Sequence, residues 1–173
     1  MGCPGVYKLE EETEADWWEV EALYDLCFSS ARTALSSYRL RDGVPTVVAL
    51  CLILRDDDGT LAAAIRYWPA EVGERDVLLL GPVAVHPTRQ GEGLGGLLIN
   101  ESLAQARRLG WERVMLVGDA PYYGRFGFKK LQGVVMPPPT NPERVLGLEL
   151  KGGSWAGVAG AVTRTSGATP RAV

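Results

Sequence analysis

A single histidine, three cysteines and no long apolar run are the first features of this 173-residue chain. Cys3, Cys27 and Cys51 share no metal-ligand spacing, and their odd number fits a reducing cytoplasm better than a disulfide framework. Cys51 lies in an apolar run and reads as a core residue, not a nucleophile. His86 precedes a proline at a strand end and reads as structural. No stretch approaches the roughly 20 apolar residues that span a bilayer, and no charged, apolar leader opens the chain. The expectation is a cytoplasmic protein with no membrane partner. The chain also lacks positive charge: a net charge of −3 and a pI near 5.3 argue against nucleic acid as a partner, because that binding relies on a surface that neutralises phosphates. No internal repeat is present. What remains is an ordinary globular composition, 46% hydrophobic and 23% charged, of one-domain length. The expected division is a domain over residues 1–150 and a Gly/Ala/Ser/Thr-rich tail over 151–173, packed in part through Trp155 and mobile at its end.

The most informative stretch runs from Leu78 to Phe128. Leu78 to Val85 is a near-continuous apolar run, the pattern of a strand buried on both faces. In its interior Gly81 has no side chain to pack and Pro82 no N–H to donate to a ladder, so the strand should be kinked, bulged or splayed from a neighbour. After His86-Pro87 comes Gln90-Gly91-Glu92-Gly93-Leu94-Gly95-Gly96, then a helical run from Leu97 to Leu109. There Ile99, Leu103, Ala106 and Leu109 repeat at the period of one helix face, and Gly110 stands where a left-handed cap ends a helix. Glycines between strand and helix allow close backbone approach, and the free N–H groups of a helix start favour an anion. The turn reads as a phosphate cradle, with a ligand-free tight connection as the alternative on spacing alone.

Two nucleotide motifs can be compared with it. A P-loop requires Gly-Lys-Ser/Thr, which is missing. The dinucleotide spacing Gly-x-Gly-x-x-Gly is met, and Asp119 falls about 23 residues past Gly96, near the expected acidic ribose partner. The strands that precede the turn argue against that assignment.

Gln90-Gly91-Glu92-Gly93-Leu94-Gly95 resembles the Gln/Arg-x-x-Gly-x-Gly/Ala signature of the GNAT superfamily of N-acetyltransferases. Tyr123-Gly124-Arg125-Phe126-Gly127-Phe128 resembles that family's Tyr-x-x-x-Gly-Phe ending, in the right order and spacing. The segment from Gly118 is similar to that of a bacterial group of these enzymes. Many members place an asparagine and an extra helical turn before the tyrosine, and Gly118-Asp119-Ala120-Pro121 is shorter.

The resemblance implies an α/β (α+β) fold: a mixed, mostly antiparallel central sheet with splayed central strands, flanked by helices. It implies acetyl-CoA as cosubstrate, with no metal, and a small-molecule or peptide amine as acceptor. The diphosphate would lie on Gly91, Gly93, Leu94, Gly95 and Gly96, with Arg89 and Gln90 beside it. Val83, Ala84 and Val85 would pair their backbone with the pantetheine arm. Tyr123 takes the position of the family's general acid, with Tyr122 as fallback. Asp119 binds the acceptor's ammonium, takes its proton through water, or merely caps a turn. Arg32, Tyr38, Arg39 and Arg41 are candidates to hold an anionic acceptor, or form a solvated basic face. Mild overall acidity leans instead toward a cationic acceptor, although pocket charge decides. A non-catalytic acyl-CoA-binding or regulatory module is the competing function, and a homodimer is compatible with five tryptophans.

Elsewhere, strands are expected at Val6–Leu9, Thr46–Leu54 and Thr60–Trp68, the last two joined at Asp56-Asp57-Asp58-Gly59, read as a solvated turn and not a metal loop. An amphipathic helix is expected over Trp17–Phe28, burying Trp18, Ala22, Leu23 and Leu26, and a shorter helix over Arg32–Arg41. Pro69 to Asp76 is expected to be a connection. Closing strands are expected at Phe128–Leu131 and Val145–Leu150, with a stiff proline linker between them.

Overall fold

The long strand Leu61–Val72 (β3) is the spine of the computed structural model, which describes residues 6–29, 31–32 and 35–165. On one side it pairs antiparallel with Leu52–Arg55 (β2), which pairs in turn with the edge strand Lys8–Glu11 (β1). On the other it pairs antiparallel with Arg75–Val85 (β4). The sheet continues through Arg113–Val117 (β5) and Val145–Glu149 (β8) to the short Lys129–Lys130 (β6). Gly160–Arg164 (β9) joins the far end of β3 and also pairs with Val134–Val135 (β7). All the pairings are antiparallel except β4 with β5 and β7 with β9.

Residues 69–76 are not a connection. β3 runs through Pro69, which pairs with Leu78 of β4, and the chain reverses at Gly73-Glu74. Proline is tolerated there because β2 pairs with β3 only as far as Ile65 and β9 begins at Ala70, so no ladder on that side requires its N–H. The strand expected from Thr46 is also shorter: Val48–Leu50 forms a 3-10 turn and β2 starts at Leu52. Leu50 to Leu54 are buried all the same, whereas Val48 on the 3-10 turn is exposed, so an apolar run here does not by itself mean strand. Of the expected second helix, only Ser36–Arg39 (α2) is α-helical.

Two helices cover opposite faces of the sheet. Leu94–Arg108 (α3) buries Leu98, Ile99, Leu103 and Ala106 against β2, β3 and β4, as its period predicted, and Gly110 follows it with φ +86°. Trp17–Phe28 (α1) has the predicted bounds but a different buried face. Val20, Leu23 and Tyr24 pack on Ile53, Ala64 and Ala84, while Trp18, Ala22 and Leu26 are exposed. Apolar residues lie around much of this helix, so periodicity does not select a face. Ion pairing marks the one chosen. Arg66 reaches from β3 to both oxygens of Glu12, 2.9 Å each, and to Glu21 of α1 at 2.9 Å. Glu21 also binds Arg32 at 2.9 Å, and the Tyr24 ring lies beneath both guanidinium groups. A buried cation requires such partners.

The segment after residue 150 is tied to the rest of the structure. Trp155 Nε1 donates to the Leu148 carbonyl at 3.1 Å, and β9 extends the sheet. The expected mobile end and Cys3 lie outside the described residues.

Candidate functional site

The central feature is an opening between β4 and β5. These parallel strands pair only at Leu78 with Val114 and Leu79 with Met115, and beyond that point they have no common ladder. The cause is in β4. Against β3, Ile65 faces Val83 and Tyr67 faces Leu80, so Arg66 alone opposes Gly81 and Pro82. Two residues against one is a bulge, and Gly81 supports it with φ +115°. β5 meanwhile stays paired with β8 as far as Val117. The edge of β4 from Leu80 to Val85 is therefore left without a strand partner on the β5 side.

At the end of this edge lies the glycine turn. Gly91 and Gly93 have φ of +86° and +77°, and a Cβ on either would meet nothing within 4 Å, so the turn is open as well as left-handed. Gly93 caps α3 without a side-chain acceptor, which leaves the first N–H groups of a long helix to an outside anion. Glu92, an unfavourable neighbour for an anion, accepts from Tyr7 Oη at 2.9 Å. Arg89 binds Asp56 at 2.7 Å. Asp56 is buried and also accepts from the N–H groups of Asp58 and Thr60, so it is a structural carboxylate and not part of a solvated turn. The three aspartates form the only acidic cluster of metal-binding proximity among the described residues. Asp56 already uses both oxygens on protein donors.

A cavity of about 1000 Å³ brings the predicted residues together: Val83, Ala84, Val85, Arg89, Gln90, Gly91, Gly93, Leu94, Gly95 and Gly96 all line it, with Tyr123 at its wall. Sequence reasoning missed Cys27, Phe28, Asn100, Arg125 and Phe126, which also line it. Asn100 was the most accessible of these, standing one turn past the glycines on an exposed face of α3. A second cavity of about 370 Å³ lies where the strands part, lined by Leu79 to Val83 on one side and Leu116 to Asp119 on the other. Phe28, Val83 and Tyr123 line both cavities.

Tyr123 sits on the short helix Ala120–Gly124 (α4), edge-on to Tyr122 at 5.0 Å and to Phe128 at 6.0 Å between ring centroids. Gly118 sets its position, because a Cβ there would come within 2.6 Å of Tyr123 Cε2. Burial, then the neighbouring Tyr122, pushes the Tyr123 phenol up to about 12. Asp119 reaches only the second cavity, and its Oδ2 accepts from Tyr122 N at 3.0 Å as the cap of α4. His86 caps the turn at Pro87–Arg89 through Thr88, the structural role expected for it.

This arrangement, a bulged strand parted from its parallel neighbour beside a glycine-led helix, coincides with a family match. Residues 12–128 match the Acetyltransferase (GNAT) family. The chain belongs to that family. Among curated GNAT relatives, the uncharacterized N-acetyltransferase YhbS of Escherichia coli is 33% identical over 113 residues, covering 64% of this chain and 66% of the relative's own length. The crystal structure of E. coli YhbS in complex with CoA aligns with a TM-score of 0.79 at 25% identity, covering 95% of this chain and 93% of that one. A Brucella melitensis GNAT acetyltransferase in complex with acetyl-CoA aligns with a TM-score of 0.69 at 28% identity, covering 94% and 97%. The GNAT fold, with its mixed and mostly antiparallel sheet, is thus the one expected from the paired motifs. Among the described residues no helix is long and apolar enough to cross a membrane.

Proposed function

We propose that this GNAT protein transfers the acetyl group of acetyl-CoA to an amine by direct attack within a ternary complex. The observation that carries the reading is the pairing of two cavities across the split strands, with Val83 and Tyr123 common to both. One is large and is lined by a glycine-led helix start, as a nucleotide-bearing donor requires. The other is smaller, lies where the strands part, and is lined by the same tyrosine. The CoA and acetyl-CoA complexes of the two bacterial relatives support the choice of donor.

In this reading the N–H groups from Gly91 to Gly96 hold the diphosphate, with Gln90 and Arg89 adjacent. Val83, Ala84 and Val85 present their free edge to the pantetheine arm as to an added strand. Acetyl-CoA bound there supplies an activated acyl group as a thioester. A backbone N–H of the parted β4 polarises the acyl carbonyl, an oxyanion-hole contact worth roughly 3 to 4 kcal/mol. The acceptor nitrogen enters from the second cavity, where Asp119 binds its ammonium form or takes its proton through water. As the N–C bond forms and the C–S bond breaks, Tyr123 donates toward the departing sulfur. With Tyr123 at about 12 the phenol is protonated throughout the physiological range, the form a donor needs.

The test pairs binding with turnover. Calorimetry should show heat with CoA, and CoA should raise the melting temperature where NAD and ATP do not. Thiol release from acetyl-CoA should then depend on an added amine. CoA binding with no amine-dependent release across a broad panel would leave a binding module; a response to NAD or ATP but not to CoA would reject the donor assignment.

A further inference from the structure

The second cavity contains a cation that the reaction as proposed leaves unused. Arg41 is only 9% exposed, and its Nε and Nη1 have no hydrogen-bond partner. Its guanidinium lies over the rings of Tyr38 and Trp68, 4.3 and 4.8 Å from their centroids. No carboxylate among the described residues pairs with it, whereas the buried Arg32, Arg66 and Arg113 each have one. Aromatic faces compensate a desolvated cation only in part, and an uncompensated buried charge is costly. Folding energy is therefore committed, at the wall of a cavity, to a positive charge that has Tyr38 and two aromatic faces beside it but no paired carboxylate among the described residues. That charge faces the opening: Arg41 Nη2 lies 4.0 Å from where a Cβ on Gly81 would stand, at the bulge that parts the strands. Arg144 lines the same cavity, while Asp119 is its one carboxylate wall residue among those described.

We infer that the acceptor is an amine that also carries a carboxylate, and that Arg41 supplies the counter-charge for it in the cavity between the parted strands. This deepens the acetyltransferase reading and rests on it. The bulge at Gly81 and Val83, the strand residue shared by both cavities, are two residues apart, at most about 7 Å along a strand. The carboxylate and the reacting nitrogen are accordingly separated by few bonds, as in a small amino acid. This reverses the lean toward a cationic acceptor that net charge suggested. Charge inside the cavity, not over the whole surface, sets the preference.

The experiment uses protein saturated with CoA and measures, by calorimetry, binding of small amino acids (glycine, alanine, β-alanine, 4-aminobutyrate) against their carboxamides. At least one carboxylate should bind tenfold or more tightly than its amide, and Arg41→Met should remove that preference without changing CoA affinity by more than twofold. Arg41→Lys should retain part of it. The melting temperature separates ligand recognition from a structural role: R41M should leave the free protein as stable or more so, whereas a structural cation would lower it. Equal binding of carboxylates and amides, no binding of either, or a preference that survives in R41M would overturn the inference. Failure of the acetyltransferase reading shows differently, as CoA binding without amine-dependent thiol release, and the calorimetric comparison is independent of it.

Discussion

Replacing Tyr123 by phenylalanine removes one oxygen and keeps the ring that packs on Tyr122 and Phe128. The phenol is pushed up to about 12 by burial, whereas a thiol such as that of CoA sits near ~8.5. Complete proton transfer would thus be uphill by roughly 5 kcal/mol, since each pKa unit is about 1.4 kcal/mol. A thiolate of that basicity can also depart without a proton. In the proposed reaction Tyr123 would therefore contribute mainly a hydrogen bond to developing charge, worth about 1.5 to 3 kcal/mol. Y123F should lower kcat by about 10- to 150-fold, less than the upper range for general acids. The KM for acetyl-CoA should stay within about twofold, because the lost contact forms only as the C–S bond breaks. The assay is thiol release at saturating acetyl-CoA and amine, with the melting temperature measured in parallel. In wild type, no alkaline loss of kcat should arise from Tyr123 up to about pH 10, because its ionisation lies higher. A fall in kcat of less than threefold, or one of ten-thousandfold with the fold intact, would refute the assignment.

Gly118→Ala should act through the same residue: its Cβ would stand 2.6 Å from the Tyr123 ring and 2.9 Å from Leu116 Cδ1, so kcat should fall at least tenfold, and a variant with wild-type kcat would show that the ring is not held there. Glu12→Gln weakens the bidentate partner of the buried Arg66, with Glu21 remaining as its second anion. The expected cost is about 2 kcal/mol, read as a melting temperature lower by about 4 to 8 °C, and an unchanged value would show that Glu21 alone suffices. Alkaline stability has a defined sign. Burial raises Cys51 from 9.0 to about 11, so its contribution is complete below pH 9 and is lost as pH rises through 11. Cys51→Ala should show a shallower decline in denaturant midpoint between pH 8 and 11 than wild type, and parallel curves would exclude the thiol as a source.

Much of the candidate site's geometry was legible because it rests on backbone conformations that local sequence encodes. Gly81-Pro82 announced a disturbed strand, and the disturbance is the bulge that frees the edge of β4. The glycines from Gly91 to Gly96 announced an open helix start, and their φ values confirm it at Gly91 and Gly93. The buried face of α1 was not legible, since a helix with apolar residues on several sides is oriented by its partners and by the Glu21 and Arg66 pair. Nor was Asp56, which one chain position away from solvated neighbours becomes a buried tether for Arg89.

By itself, then, the order of residues determined where most strands and helices lie, which strand must deform, and which helix start has no side-chain cap. These are properties of short segments, set by backbone sterics and periodicity. Only the tertiary structure decided which charges are compensated. Arg32, Arg66 and Arg41 look alike in sequence, yet folding gives the first two carboxylates and leaves the third with none among the described residues, at the wall of a cavity. The difference arises because the free energy of a buried charge depends on what surrounds it in three dimensions, and residues distant along the chain supply those surroundings.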